Sequence, residues 1–192
     1  MKIPGYNNII LASGSPRRRH LLAQTGLEFT VMKGDVSEDY PEGMEPEQVA
    51  IYLSEKKATH FSAELQNEET LIITADTIVL IDGQILGKPD GYDGAVAMLE
   101  TLSGRKHVVI TAVTLKSLKK ATTFTDFTDV YFKPLSLGEI TYYLDNYHPY
   151  DKAGAYGIQE WIGYIGIERI DGSYFNVMGL PVQKLYRELM NF

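Results

Sequence analysis

The stretch 71–81 places one acidic side chain, Asp76, inside an apolar run with the length and composition of a buried strand. A strand that is covered on both faces carries a nearly continuous hydrophobic sequence. Burying an ionised carboxylate without a partner costs several kcal/mol. Asp76 must therefore lie at the rim of a cleft or be paired with a cation or a metal ion, which makes it the first candidate for chemistry.

Three adjacent arginines form a candidate anion site. Arg17, Arg18 and Arg19 follow a Ser-Gly-Ser-Pro turn, in which Ser15 is a favourable N-cap and Pro16 suits the first helical position. Cations in a first turn oppose the helix dipole. A solvated basic turn is the commoner outcome for such a sequence, but a phosphate in front of the free N–H groups would explain this one, because the turn follows a buried strand.

Two lysines and an acidic loop complete the candidate set. Lys57 falls inside the predicted buried stripe of a helix, where it either extends its ammonium to solvent or points it into a pocket. Lys88 is fixed between a glycine and a proline. Glu38 belongs to an acidic loop at 34–39, which is either solvated or supplies oxygen ligands to a hard cation. In such a set, the carboxylates would bind a metal ion, and the cations and helix N–H groups would bind phosphates. This combination suits a polyphosphate substrate.

The composition excludes several other kinds of site. The chain has no cysteine, which rules out disulfides, thiolate zinc sites and a cysteine nucleophile. Its net charge of −7 argues against a nucleic-acid polymer as partner. The nucleophile-elbow, zinc-protease and dinucleotide-binding motifs are missing. The segment 83–89 fails as a phosphate-binding P-loop because its glycines are too close together and a proline replaces the final hydroxyl residue.

The sequence shows no signal for export or for a membrane. The apolar run at 9–12 is too short for the core of a signal peptide, and no run approaches the roughly 20 apolar residues that a membrane span needs. We therefore expect a soluble, cytoplasmic protein without a membrane partner. A length of 192 residues suits one domain, with or without a small lobe.

The elements that must position these residues alternate between strands and helices. The strands at 106–116 and 121–132 alternate in polarity, which predicts an antiparallel pair with one exposed face, and a hairpin is expected at 171–172. Ser136 and Glu139 form a capping-box pattern. The remaining strands are predicted at 8–12, 28–32, 71–81 and 162–170, and the helices at 16–26, 46–63, 90–102, 136–147 and 181–190.

Seven short motifs occur in the order in which a known family carries them. By these motifs the chain resembles the Maf family of nucleoside triphosphate pyrophosphatases over nearly its whole length. One such motif is weak support, whereas seven in order are strong. The motifs are Leu11-Ala-Ser-Gly-Ser-Pro-Arg-Arg18, Asp35-Val-Ser-Glu38, Lys57-Ala58, Thr74-Ala-Asp-Thr77, Gly87-Lys-Pro89, Leu102-Ser-Gly-Arg105 and Asp151-Lys-Ala-Gly-Ala-Tyr-Gly-Ile-Gln159.

The resemblance implies a fold and a reaction. The fold would be α/β, similar to that of the inosine triphosphate pyrophosphatases: a long, mixed, twisted sheet with flanking helices and two lobes around a cleft, in a single Maf-like domain over 1–192. The reaction would be hydrolysis of a nucleoside triphosphate to the monophosphate and pyrophosphate, assisted by a divalent metal cation, Mg²⁺ or Mn²⁺. Removal of non-canonical nucleotides is the expected role, and a homodimer is left open.

The resemblance also implies a role for each candidate residue. Asp76 would be the general base that activates water, and together with Glu38 it would bind the metal. The phosphate-binding positions are matched by Ser13, Arg18, Lys57 and Lys88, and the positions of base specificity by Arg17, Thr77 and Gln159. The Gly-Ala-Tyr-Gly-Ile-Gln form that ends at Gln159 is similar to the branch of the family that acts on dTTP and UTP.

Two alternatives to this substrate and role are kept. Glu160 and Trp161 replace the glycine and small residues that commonly follow Gln159 in the family, so the same reaction on methylated GTP or CTP is an alternative. Because the family is linked with septum formation, a nucleotide-binding regulator of cell division that does not need catalysis is the other. For Asp76 itself, the alternative to a catalytic role is a structural one, in which the carboxylate is paired with one of the lysines.

Overall fold

The strands form one seven-stranded mixed sheet in the computed structural model, which describes residues 2–192. They are β1 (Asn8–Ala12), β2 (Thr30–Met32), β3 (Thr70–Ile81), β4 (Gln84–Leu86), β5 (Lys106–Lys116), β6 (Ala121–Phe132) and β7 (Ile167–Asp171). Six of the strands follow the order β2–β1–β3–β5–β6–β7 across the sheet. The seventh, β4, pairs with β3 and lies outside this order. β1 runs parallel to β2 and β3, whereas the pairs β3–β4 and β6–β7 are antiparallel. The predicted long mixed sheet is confirmed.

Seven α-helices accompany the sheet within residues 2–192. They are α1 (Pro16–Gln24), α2 (Pro46–His60), α3 (Gly91–Leu102), α4 (Leu137–Tyr147), α5 (Trp161–Gly166), α6 (Tyr174–Val177) and α7 (Val182–Asn191), and short 3₁₀ turns lie at Ser62–Glu64 and Ala153–Ala155. Local signals explain two of the starts. Ser15 caps α1 and Pro16 is its first residue, and the capping box of Ser136 and Glu139 opens α4. Across this described range, no helix is both long and apolar enough to span a membrane.

The sequence prediction is wrong at three places. The segment 162–170 was expected to be a strand, but its first half belongs to helix α5, because periodicity alone does not separate a short apolar helix from a strand. The hairpin expected at 171–172 is replaced by the turn into α6, where the hydroxyl of Ser173 accepts a hydrogen bond from the Asn176 N–H. Strand β5 was expected to expose one face, but both of its faces are buried over 109–115.

The described chain divides into two compact units. Unit 1 comprises the residues up to Asp76, Thr111–Asp126 and Gly179–Phe192, and unit 2 comprises Thr77–Ile110 and Phe127–Met178. The boundary in β3 falls directly after Asp76. Unit 1 therefore contains Ser13, Arg17, Arg18, Glu38, Lys57 and Asp76, and unit 2 contains Thr77, Lys88 and Gln159.

Each unit has an apolar core of its own. In unit 1, side chains of β1 and β3 pack with Phe61 and Leu65 from the end of α2 and the turn after it. In unit 2, the end of β3 packs with α3, α4 and the segment 155–158. Burial of each large apolar side chain contributes about 1.5–3 kcal/mol, so the two ends of β3 are held firmly within their respective cores.

Candidate active site

The candidate residues of unit 1 meet where three parallel strands end. Leu11 of β1 lies opposite Ile73 of β3, and the other neighbour of β1 is β2. Ser13 therefore directly follows β1, the loop with Glu38 follows β2, and Asp76 lies just beyond the parallel part of β3. Ligands of open α/β sheets bind outside the carboxyl ends of the strands. The sheet topology thus explains why residues that are far apart in sequence gather here.

The ammonium of Lys57 joins the two candidate carboxylates. Its Nζ atom donates a close hydrogen bond to Oδ1 of Asp76 and a second one, of 3.2 Å, to Oε1 of Glu38. Asp76 is only 6% exposed, whereas the side chain of Glu38 is 44% exposed. Lys57 therefore points inward to compensate the charge of Asp76, and the Glu38 side of this cluster is open to solvent.

Arg18 lies beside this cluster and is anchored by a distant part of the chain. Its Nε atom donates to the carbonyl of Gly179 at 2.7 Å. Burial lowers the pKa of the Arg18 guanidinium from its ordinary value, while the negative charges of Asp76 and Glu38 oppose that shift. Arginine stays protonated in proteins, so Arg18 adds a fixed positive charge to the surroundings of Asp76. Sequence reasoning did not find Gly179, since no local pattern connects it to Arg18.

The turn between β1 and α1 holds its shape through two serine side chains. The Ser15 N–H donates to the hydroxyl of Ser13 at 3.2 Å, and the hydroxyl of Ser15 accepts from the Arg18 N–H at 3.4 Å. A Cβ atom added at Gly14 would meet nothing within 4 Å. Arg17 lies in the same first turn and is half-buried. The turn is therefore ordered, and it leaves open space beside its glycine, which suits an approaching phosphate.

A buried hydroxyl network fixes the helix of the lysine against the strand of the aspartate. The hydroxyl of Thr74 donates to the carbonyl of Ser54 at 2.8 Å, and the hydroxyl of Ser54 lies 2.8 Å from that of Thr114. Thr123 extends the network at 3.0 Å from Thr114. Ser54 and Thr74 have no solvent exposure. The signal that could have revealed this network is a serine inside the buried stripe of a helix.

In unit 2, the glycine segment packs closely against β3 and against the loop of Lys88. The Gly154 N–H donates to the carbonyl of Gly87 at 3.0 Å. A Cβ atom at Gly154 would lie 3.1 Å from Cγ2 of Val79, and the φ angle of +69° also favours glycine. The side chain of Val79 is therefore what lies close to the backbone of Gly154. Lys88 itself is exposed, and Thr77 is half-buried.

Gln159 presents an acceptor that has no partner among residues 2–192. The residue is half-buried, and its Oε1 atom is buried without a hydrogen bond from any of the described residues. A buried polar atom without a hydrogen bond is costly, and it needs an explanation such as a ligand or a water molecule. Gln159 therefore has an unsatisfied buried polar atom in unit 2, as does His107, whose Nδ1 atom is also buried without a hydrogen bond from the described residues.

The two carboxylates are donors of the type that a hard divalent cation uses, and they would supply only part of its coordination. Asp76 and Glu38 each contact the ammonium of Lys57, so one oxygen of each carboxylate lies within hydrogen-bonding distance of the same nitrogen. Within residues 2–192, no group of three or more His, Cys, Asp or Glu side chains is arranged to hold a metal ion. Mg²⁺ is commonly bound through one or two carboxylates together with water and substrate phosphates. The donor set suits Mg²⁺ or Mn²⁺ of this kind.

The fold is one that a solved structure shares. The structure of the Staphylococcus aureus Ham1 protein superimposes with a TM-score of 0.51 at 16% sequence identity, over 95% of this chain and 98% of that chain. At this identity the likeness concerns the fold alone, and the predicted α/β fold of the inosine triphosphate pyrophosphatase type is confirmed.

The sequence comparisons define the family more closely. A family model described as Maf-like protein matches residues 8–192, and the chain belongs to this family. A relative from Bacteroides thetaiotaomicron, named dTTP/UTP pyrophosphatase, is 52% identical over 182 residues, which cover 94% of each chain. A relative of the same name from Porphyromonas gingivalis is 50% identical over 186 residues, which cover 96% of this chain and 94% of the relative. The family predicted from the seven motifs is confirmed.

Proposed function

We propose that this protein hydrolyses dTTP and UTP to the nucleoside monophosphate and pyrophosphate. The observation that carries the proposal is the buried Asp76, which shares Lys57 with Glu38 at the ends of parallel strands. This arrangement combines a proton acceptor with metal ligands and a phosphate-binding cation. The choice of dTTP and UTP is supported by the name of the relatives that are about half identical to this chain over nearly its whole length.

In the proposed reaction, Asp76 takes a proton from the attacking water. The water oxygen forms a bond to the α-phosphorus, and the bond from that phosphorus to the bridging oxygen of the β-phosphate breaks, which releases pyrophosphate. Asp76 is proposed for this step because a carboxylate can serve as a general base, and this one lies beside Lys57 at the ends of the parallel strands. A divalent metal held by Asp76 and Glu38 would neutralise phosphate charge and make water more acidic.

The remaining cations and hydroxyl groups bind the triphosphate in this proposal. A triphosphate brings about four negative charges, which must be neutralised before the water can attack. Lys57 and Arg18 lie beside Asp76 and are the phosphate-binding cations proposed in unit 1. Ser13 contributes through the ordered turn before α1, and the exposed Lys88 is proposed as a further phosphate-binding cation.

Gln159 is proposed to recognise the pyrimidine base. Thymine and uracil present an N–H donor at N3 between two carbonyl acceptors, and a side-chain amide offers the complementary acceptor and donors. The support is the buried Oε1 atom of Gln159, which accepts no hydrogen bond within residues 2–192. Cytosine has no N3–H to give to this acceptor. Arg17 and Thr77 are proposed as the further residues of base specificity.

We also propose that the substrate is a free nucleotide in the cytoplasm and that neither a nucleic-acid polymer nor a membrane is a partner. The net charge of −7 supports this, because the chain has no basic excess to neutralise a nucleic-acid backbone. A homodimer is compatible with the proposed activity, and light scattering of the purified protein measures the oligomeric state directly.

The experiment is a product analysis over a panel of triphosphates. Purified protein is incubated with Mg²⁺ or Mn²⁺ and with dTTP, UTP, CTP, GTP or methylated GTP, and the products are separated by ion-exchange chromatography. We expect dTMP and UMP with equal amounts of pyrophosphate. Release of orthophosphate and a nucleoside diphosphate would overturn the reaction, whereas a preference for CTP or methylated GTP would overturn only the choice of substrate.

A further inference from the structure

The turn that carries Gln159 is closed twice by the residues at its ends. The Glu160 N–H donates to the carbonyl of Gly157 at 3.0 Å, which is the hydrogen bond of a four-residue turn with Gln159 in its third position. In addition, the Tyr143 hydroxyl accepts from the Gly157 N–H at 3.0 Å and donates a close hydrogen bond to Oε2 of Glu160. The backbone around Gln159 is therefore held from both sides.

A buried lysine binds the other oxygen of the same carboxylate. Nζ of Lys152 lies 3.1 Å from Oε1 of Glu160 and 2.7 Å from Oδ1 of Asp151. Lys152 is only 8% exposed. Both carboxylate oxygens of Glu160 thus have a partner, Tyr143 on one and Lys152 on the other. A carboxylate with satisfied oxygens and a buried counter-charge is a strong anchor for the turn.

The packing around this anchor leaves no spare room. A Cβ atom at Gly157 would lie 2.7 Å from the carboxyl carbon of Glu160, and one at Gly163 would lie 1.9 Å from the carbonyl oxygen of Ile158. Tyr143 is fully buried. Burial and the hydrogen bond to Glu160 raise the pKa of the Tyr143 hydroxyl, so it stays protonated and remains a donor to Glu160 at neutral pH.

From this geometry we propose that Glu160 is a positioning residue for base selection. Through Tyr143 and Lys152 it holds the 157–160 turn, and the turn presents the amide of Gln159 in one orientation. Because the Oε1 atom of Gln159 accepts no hydrogen bond within residues 2–192, no such bond fixes the amide, and the backbone of the turn sets where the side chain starts. This inference rests on the proposed role of Gln159 in base recognition, and Glu160 itself does not need to touch the nucleotide.

The test compares the base preference of Glu160→Gln with that of the unchanged protein. This substitution keeps the length of the side chain and removes the charge that Lys152 compensates. We expect the ratio of kcat/KM for dTTP to kcat/KM for CTP to fall about tenfold, the size of one well-oriented hydrogen bond. The ratio is the informative readout, because a loss of folded protein lowers both values equally and leaves it unchanged.

Tyr143→Phe is the second variant and Glu168→Gln is the matched control. Tyr143→Phe removes only the hydroxyl that joins Gly157 to Glu160, so it tests the same network if Glu160→Gln does not fold. The two lesions together should shift the ratio by less than the sum of their separate effects, as expected for members of one network. Glu168 is an exposed glutamate of β7 in the same unit, and its substitution should leave the ratio unchanged.

Gln159→Ala separates a failure of this inference from a failure of the proposed function. If Gln159→Ala changes the preference while Glu160→Gln and Tyr143→Phe leave it unchanged, the positioning role of Glu160 is overturned and the function stands. If Gln159→Ala has no effect on the preference, the base-reading role of Gln159 fails and the inference fails with it. An unchanged protein that releases no pyrophosphate from dTTP or UTP would overturn the function itself.

Discussion

Lys57 and Asp76 form an ion pair between helix α2 and strand β3. The two residues are 19 positions apart in the sequence, and the aspartate is only 6% exposed. Burying one of these charges without the other would be strongly unfavourable. The pair therefore explains how an apolar strand tolerates a carboxylate, and the exposed Glu38 beside Lys57 shows that the pair lies close to solvent.

Replacing Asp76 by asparagine should abolish most of the activity and leave the fold intact. The amide has the same shape but cannot accept the proton from water, and general-base catalysis contributes about 10²–10⁴-fold. We expect kcat with dTTP to fall by a factor in that range, while the circular dichroism spectrum is unchanged. Asp82→Asn is the control, because Asp82 lies at the exposed turn after the same strand. A kcat close to that of the unchanged protein would remove Asp76 from the role of base.

Replacing Lys57 by methionine should destabilise the protein, because Asp76 would be left buried without its counter-charge. We expect the free energy of unfolding, from urea titration at pH 7, to fall by about 3 kcal/mol. Lys56→Met is the matched control, since that ammonium donates to the carbonyl of Asp39 at the surface and should change the value by less than about 0.5 kcal/mol.

The double variant of Lys57→Met with Asp76→Asn checks the cause of that loss. Removing the buried negative charge together with its partner should restore part of the lost stability, because no uncompensated charge remains in the strand. A double variant whose loss equals the sum of the two single losses would contradict the pairing as the source of stability.

Replacing Thr74 by valine should lower both stability and turnover. The change keeps the volume of the side chain but removes the hydroxyl that donates to the Ser54 carbonyl at 2.8 Å, which costs about 1–3 kcal/mol when a buried group loses its partner. Because this hydrogen bond holds α2 against β3, we expect kcat to fall more than the affinity for substrate. Thr74→Ser should retain both properties, and Thr59→Val, at an exposed position of the same helix, should affect neither.

His107 should make the stability of the protein sensitive to mild acid. Burial lowers the pKa of His107 from 6.5 to about 4, and its Nε2 atom lies 2.7 Å from the hydroxyl of Tyr156. Between these two values the unfolded chain binds a proton that the folded protein excludes. The contribution of neutral His107 to the free energy of unfolding is therefore fully present above pH 6.5, and it is lost as the pH falls towards 4.

The corresponding experiment is urea unfolding of the protein and of His107→Gln at pH 7.5 and pH 5. We expect the free energy of unfolding of the unchanged protein to fall by about 2 kcal/mol more than that of the variant over this interval. His20→Gln, at an exposed position of α1, should behave like the unchanged protein. An equal loss of unfolding free energy between pH 7.5 and pH 5 in His107→Gln and in the unchanged protein would show that His107 does not cause the acid sensitivity.

Features that depend on neighbouring residues could be predicted from the sequence. The strands at 8–12 and 71–81 were predicted within a residue, because continuous apolar runs mark buried strands. The starts of α1 and α4 followed from a serine before a proline and from a capping box. The same local rules failed at 161–166, where a short apolar segment fits a helix and a strand equally well.

By itself, the sequence determined the residue types of the candidate site and the family motifs in which they occur. Only the tertiary structure decided which of these residues are partners: Lys57 with Asp76, Ser54 with Thr74, and Glu160 with Tyr143 and Lys152. Caps and apolar periodicity arise between residues a few positions apart. Ion pairs and hydrogen bonds between separate elements depend instead on how helices and strands pack, which no spacing within a single element specifies.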